Sequence, residues 1–207
     1  MKTVANAVLY NVIWFVAVWF AAAGNVWLGP LAMGLLILLH FSWIHKSEWR
    51  REACFIVAVG VVGASMDSLL SRCGVLAYPS SESAWPYGVA PPWIACLWVG
   101  FATMPRFSLR WLGRFHWSLA AVFGALGGGL AFFSGTRLGA IESGMGGVTY
   151  AVLALEYATL TPLMMFAHRR LWSARPLEEV ALAGELAHAG EVAEQGDGTL
   201  SAPTSAD

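Results

Sequence analysis

The sequence predicts an all-α polytopic membrane protein, a six-transmembrane-helix bundle with both termini in the cytoplasm. Three observations predict it. Hydrophobic residues make up 57% of the 207 and charged residues only 12%, about half the charged share of a soluble domain. A soluble fold of this size has no means of hiding that much apolar surface beneath so few charges. Apolar stretches close to the ~20 residues needed for a membrane crossing follow one another with short polar gaps. The positive charges then alternate from one side to the other along the chain, as the positive-inside rule requires.

The expected spans are 4–24, 26–44, 53–71, 90–107, 117–135 and 148–167. The first and second meet at a turn near Gly24-Asn25. The run from His45 to Glu52 separates the second and third, and polar residues 72–89 separate the third and fourth. A basic loop, 105–116, precedes the fifth, and a glycine-rich loop, 136–147, precedes the sixth. With the N-terminus inside, Lys2, Lys46, Arg50, Arg51, Arg106, Arg110, Arg114, Arg169, Arg170 and Arg175 are cytoplasmic, while Arg72 and Arg137 remain outside. Tryptophans mark the same boundaries. Trp27 and Trp85 fall near outer edges, and Trp43, Trp49, Trp111, Trp117 and Trp172 near inner ones, as the interfacial aromatic belt predicts. The expected location is a cytoplasmic membrane.

The membrane domain, 1–172, holds eleven Lys/Arg against six Asp/Glu, whereas 173–207 holds one against seven. That acidic segment reads as a cytoplasmic tail, largely disordered from Gly196 onward because it carries little apolar surface to bury. Ala21-Ala22-Ala23 gives the first span a signal-like end. The apolar run is too long for a signal, however, and Asn6 and Asn11 interrupt it, so it is expected to remain as a helix.

Several classes of function are excluded. No basic stripe suggests nucleic acid. Cys54, Cys73 and Cys96 are odd in number and lack CxxC spacing. His40 and His45 are five apart, which does not place both on one helix face for a metal. Gly144-Met145-Gly146-Gly147 lacks the Lys-Ser/Thr of a phosphate loop. Neither metal nor cofactor is expected. Arg106, Arg110 and Arg114, spaced by four, are expected to mark a topology-setting loop, with a short amphipathic segment on an anionic inner leaflet as the alternative.

Ionisable groups within a bilayer are costly and mark function or tight structure. Asp67, in the outer third of the third span, and Glu156, near the middle of the sixth, lie at similar depths. They are expected to share a cavity opening outward, either as a proton- or cation-handling pair or as anchors for a polar head. The structural alternative is hydrogen bonding to Asn11, Tyr157, Thr159 or Ser68. Arg137, just past the fifth span, is placed to pair with Asp67 or Glu142 or to bind an anionic group, or else to snorkel at the interface. Small residues on the third span (Gly60, Ala64) and fifth (Ala120, Gly124, Gly128) predict close helix contacts. A contact between those two spans would bring Asp67 towards Arg137. Trp14 and Trp98 lie mid-span and require packing partners. Pro91-Pro92-Trp93 opens the fourth span, where proline suits a first helical turn.

Asn11 and Trp14 in the first span, Asp67 late in the third and Pro92-Trp93 with Leu97-Trp98 in the fourth recur together in one family. The stretch from Gly129-Leu130-Ala131-Phe132 to Arg137-Leu138-Gly139-Ala140 belongs to the same set. Over roughly residues 5–170, the chain resembles a family of uncharacterised bacterial multi-pass inner-membrane proteins, a domain of unknown function. It departs at Gly129-Leu130 and Phe132, where the family pattern has Gly-Pro and Tyr. Members are similar in setting to companions of fatty-acid-modifying enzymes, which implies a link to lipid chemistry but supplies no catalytic residue. The expected function is binding or transport of a lipid or small amphipathic molecule in an outward-facing polar cavity. Asp67, Glu156, Arg137, Asn11, Trp14, Trp98 and Glu142 are the candidate residues. A membrane-embedded lipid-modifying enzyme with Asp67 or Glu156 as acid/base, and a scaffold or accessory subunit for a membrane-protein partner, are the alternatives.

Overall fold

The computed structural model describes residues 1–82 and 84–173, so the acidic tail lies outside the described residues, apart from Ser173. Among the described residues six α-helices follow one another: α1 (Lys2–Ala22), α2 (Leu28–Ser42), α3 (Trp49–Arg72), α4 (Pro92–Phe101), α5 (Trp117–Arg137) and α6 (Gly147–Ser173). Met1–Arg169 form one unit, which contains all the packing described below. The helices containing α1, α3, α5 and α6 are long and apolar enough to cross a membrane, with mean hydropathies of 1.8, 2.0, 1.5 and 1.3. α2 is equally apolar but has 15 residues, about 22 Å of helix.

The outer surfaces support a membrane setting directly. Val4, Val8, Val12, Phe15 and Trp19 run exposed along α1, Leu31, Leu35 and Leu38 along α2, and Val122, Leu126 and Leu130 along α5. Contiguous apolar faces of this extent are not left to water, and a bilayer accommodates them.

The fourth helix departs from expectation. The apolar run 90–107 forms only ten helical residues, followed by a 3-10 turn at Met104–Arg106. At about 15 Å, α4 does not span a bilayer as a helix. No residue of α4 is exposed, since α1, α2 and α3 all pack against it. Irregular backbone at membrane depth is tolerated where protein encloses it, and the residues after α4 meet that condition. Ala102 to Pro105 are buried. The Thr103 hydroxyl donates to the Gly100 carbonyl at 2.7 Å and accepts from Asn6 Nδ2 at 2.9 Å, and Ser108 donates to Asn6 Oδ1 at 2.7 Å.

The basic loop forms no regular amphipathic helix. It consists of two 3-10 turns, Met104–Arg106 and Leu112–Arg114, with Leu109 and Leu112 buried beneath them. Arg106, mostly buried, pairs with Glu48 and Glu52.

Turn chemistry reverses the chain where the sequence suggests. After α1, Gly24 adopts φ +80°, Gly24 N–H donates to Ala21 O, and Asn25 N–H reaches back to Phe20 O. Such a left-handed cap favours glycine. The Asn25 side chain then accepts from the amides of Trp27 and Leu28, starting α2. Gly74, φ +70°, ends α3 in the same way.

The connections sort into two ends. At one, Lys2 Nζ donates to Trp43 O at 2.9 Å, and Gly113 lies against Met165 and Arg169. The basic segments gather there. At the other end, two loops expected to be irregular pair as a miniature antiparallel sheet, β1 (Leu76–Ala77) with β2 (Glu142–Ser143), and Ser80 donates to Gly139 O at 3.1 Å. We call this the hairpin end.

Candidate functional site: a cleft between α1 and α5

A cavity of about 350 Å³ lies between α1 and α5 with α4 as its floor, within the ~300–1,000 Å³ typical of small-molecule sites. Tyr10, Asn11 and Trp14 line it from α1, Trp93, Leu97 and Trp98 from α4, Phe123, Gly127 and Phe132 from α5, and Tyr157 from α6. Asp67 is the one carboxylate in its wall. Of the predicted site residues, Asp67, Asn11, Trp14 and Trp98 thus converge on one cavity. Its character differs from expectation, being aromatic and aliphatic with few polar groups rather than generally polar. Its exposed rim residues, Asn11, Phe123, Gly127 and Leu130, sit near the midpoints of α1 and α5. The mouth therefore opens sideways at mid-helix, not outward at a helix end.

Asp67 has no exposed surface yet is well supplied with donors. Trp98 Nε1 donates to Oδ2 at 2.6 Å and the Tyr78 hydroxyl to Oδ1 at 3.4 Å. Tyr78 descends from the hairpin-end loop just after β1, with its ring edge-on to Trp93 at 5.7 Å. Burial first, and the Asp67 charge second, push its pKa well above the ordinary phenol value, so it stays a protonated donor. None of the partners predicted for Asp67 is used. Asn11 donates instead to Ala7 O, Ser68 to Ala64 O and Thr159 to Leu155 O.

Trp98 shows why it stands mid-helix. Its indole stacks on Tyr157 at 4.9 Å and 21°, and it fills the space over Gly63, where any Cβ would fall within the indole ring. The small-residue ridges therefore act, but not on each other as expected. Gly60 and Gly63 of α3 receive Val99 and Trp98 of α4, while Gly124 and Gly128 of α5 receive Thr161 and Tyr157 of α6. Gly127, one step round the helix, faces the cleft with open space where a Cβ would stand. The hydroxyls of Tyr10 and Tyr157, on the cleft wall, form no hydrogen bond among the described residues.

The remaining candidates lie elsewhere. Glu156 is 8% exposed and does not line the cleft, and neither carboxylate oxygen has a hydrogen-bond partner among the described residues. Arg137 is exposed and joins neither Asp67 nor Glu142. Its guanidinium rests over the Phe133 ring, 5.1 Å from the centroid. Glu142, in β2, is exposed.

Sequence reasoning missed a buried charged cluster at the basic end. His40 Nε2 meets Glu52 Oε1 at 2.6 Å with neither side chain exposed, and Arg106 Nη1 reaches Glu52 Oε2 at 3.2 Å. Twelve residues separate His40 from Glu52, and Glu52 sits within a hydrophilic run that reads as solvated. The available signal was a histidine within an apolar stretch, a position that demands a partner. His45 and His116 serve as helix caps, accepting from the amides of Ser47 and Ser118. All three cysteines are free, and no cluster of potential metal ligands occurs among the described residues.

No curated protein and no solved structure matches the chain. A family match covers residues 3–163, which include every wall of the cleft. The chain belongs to the family described as "Protein of unknown function (DUF2878)".

Proposed function

We propose that this protein crosses a bacterial cytoplasmic membrane six times, with both termini in the cytoplasm, and holds one lipid or small amphipathic molecule in the α1–α5 cleft for binding or transport. The observation that carries this reading is the cleft itself. It is apolar along its length, opens at the midpoints of two helices whose outer faces are apolar, and has Asp67, Tyr10 and Tyr157 on its walls. An apolar cavity with a few convergent polar groups is the usual form of a small-molecule site, and a mouth at mid-helix height admits a ligand from the hydrocarbon. The orientation is supported by the concentration of Lys and Arg at the end shared by Lys2, the 43–49 connection and the 102–116 loop. α2 and α4 complete their crossings with the irregular residues that flank them.

Gly127→Leu tests this function with little risk to the fold, because open space awaits its side chain. Comparative lipidomics is expected to show a lipid or amphiphile species changed in cells lacking the gene. Wild type should restore it, whereas Gly127→Leu, expressed at an equal level, should not. An unchanged profile, or full restoration by Gly127→Leu, would overturn the reading.

A further inference from the structure

We infer that Asp67 and Glu156 form a proton-binding pair, in which Asp67 is the carboxylate and Glu156 the neutral acid. The inference rests on the membrane setting proposed above, but not on the identity of any ligand. Both residues are more than nine-tenths buried, and Tyr157, next to Glu156, stacks on the Trp98 indole that donates to Asp67. None of the ion pairs among the described residues includes either of them. Arg72, the nearest basic residue along α3, donates its Nε–H to Gly88 O at 3.0 Å, and Arg137 lies over Phe133. The titratable groups around the pair are hydroxyls: Tyr78 from the hairpin-end loop and Tyr157 from α6, with Tyr10 of α1 next to Tyr157. None of these supplies positive charge.

Two anions enclosed without a cation would each pay a large desolvation cost, and their mutual repulsion adds to it. One proton on the pair removes most of this cost. Hydrogen bonding decides where it sits. Asp67 accepts from two donors, Trp98 Nε1 and the Tyr78 hydroxyl, and accepted bonds favour a charged carboxylate. Glu156 receives no donor at either oxygen among the described residues, so nothing stabilises its charged form. A metal ion fits less well than a proton, because both Asp67 oxygens are already engaged by donors. Asp67 also lines the cleft, so the charge of the pair is presented to whatever occupies it.

Infrared difference spectroscopy of the full-length protein in lipid nanodiscs, H2O against D2O at neutral pH, tests this. The carbonyl-stretch region is expected to contain a protonated carboxylic acid band that disappears in Glu156→Gln and persists in Asp67→Asn. Labelling glutamate carboxyls with carbon-13 in the wild-type chain should move the same band, which keeps the test independent of how the variants fold. Three outcomes would overturn the inference: absence of the band in wild type, its survival in Glu156→Gln, or its loss when sodium or potassium chloride is raised. Gly127→Leu should leave the band in place, so failure of the cleft reading and failure of the proton site are separable.

Discussion

Replacing Glu52 with alanine is expected to lower stability by about 3–5 kcal/mol, the usual cost of removing one member of a buried ion pair. Glu52 is enclosed between His40 at 2.6 Å and Arg106 at 3.2 Å, and it joins α2, α3 and the turn following α4. Its loss strands a histidine with no exposed surface, whose Nδ1 has no partner among the described residues. It also weakens the anchor of Arg106, whose side chain is only 15% exposed. Glu48 is the control. Its side chain is 34% exposed, and a partly solvated pair contributes about 1 kcal/mol or less. Thermal unfolding of purified protein in detergent micelles, followed by tryptophan fluorescence, separates the two. Equal losses for Glu52→Ala and Glu48→Ala would show that the buried cluster is not a structural anchor.

The second large effect is expected at Trp98. Trp98→Ala removes a side chain that is 4% exposed, fills the notch at Gly63 and stacks on Tyr157. The void and the lost contacts are expected to cost about 3–5 kcal/mol. Trp98→Phe separates packing from hydrogen bonding. It retains an aromatic ring on Tyr157 but removes the 2.6 Å donor to Asp67, for an expected loss of about 1.5–3 kcal/mol, as for a hydrogen bond to a charged group. If Trp98→Phe unfolds at the wild-type temperature, the indole N–H does not hold Asp67 and the cleft wall is set by packing alone.

The helices were legible because their periodicity hardly mattered. Five of the six apolar runs fold as helices close to the expected limits, because a long apolar run leaves its backbone no partner but itself. The exception, 90–107, shows what hydropathy does not register. α4 stops at Phe101, where the Thr103 hydroxyl takes up the Gly100 carbonyl, turn bonds satisfy the backbone that follows, and side-chain bonds among Asn6, Thr103 and Ser108 hold those turns; the three residues are far apart in sequence. Asp67 could be singled out from the cost of burying a charge, and Trp98 from its unexplained position in mid-span. That the two touch, with Tyr78 arriving from a loop, depends on tertiary packing. Arg137 looked equally suggestive, but an arginine at a helix end can reach an interface or an aromatic ring as easily as a buried acid. Partner choice among charged residues is three-dimensional, and the His40–Glu52–Arg106 cluster escaped notice for the same reason.

Native mass spectrometry of the protein released from micelles is the most direct test of the cleft. Wild type is predicted to retain one amphipathic molecule per chain, bound about 5- to 150-fold more weakly in Gly127→Leu, since a clash of about 1–3 kcal/mol between the added side chain and the ligand opposes binding there. A wild-type chain that emerges bare, or a Gly127→Leu chain that retains the same molecule at the same occupancy, would contradict the cleft as its binding site.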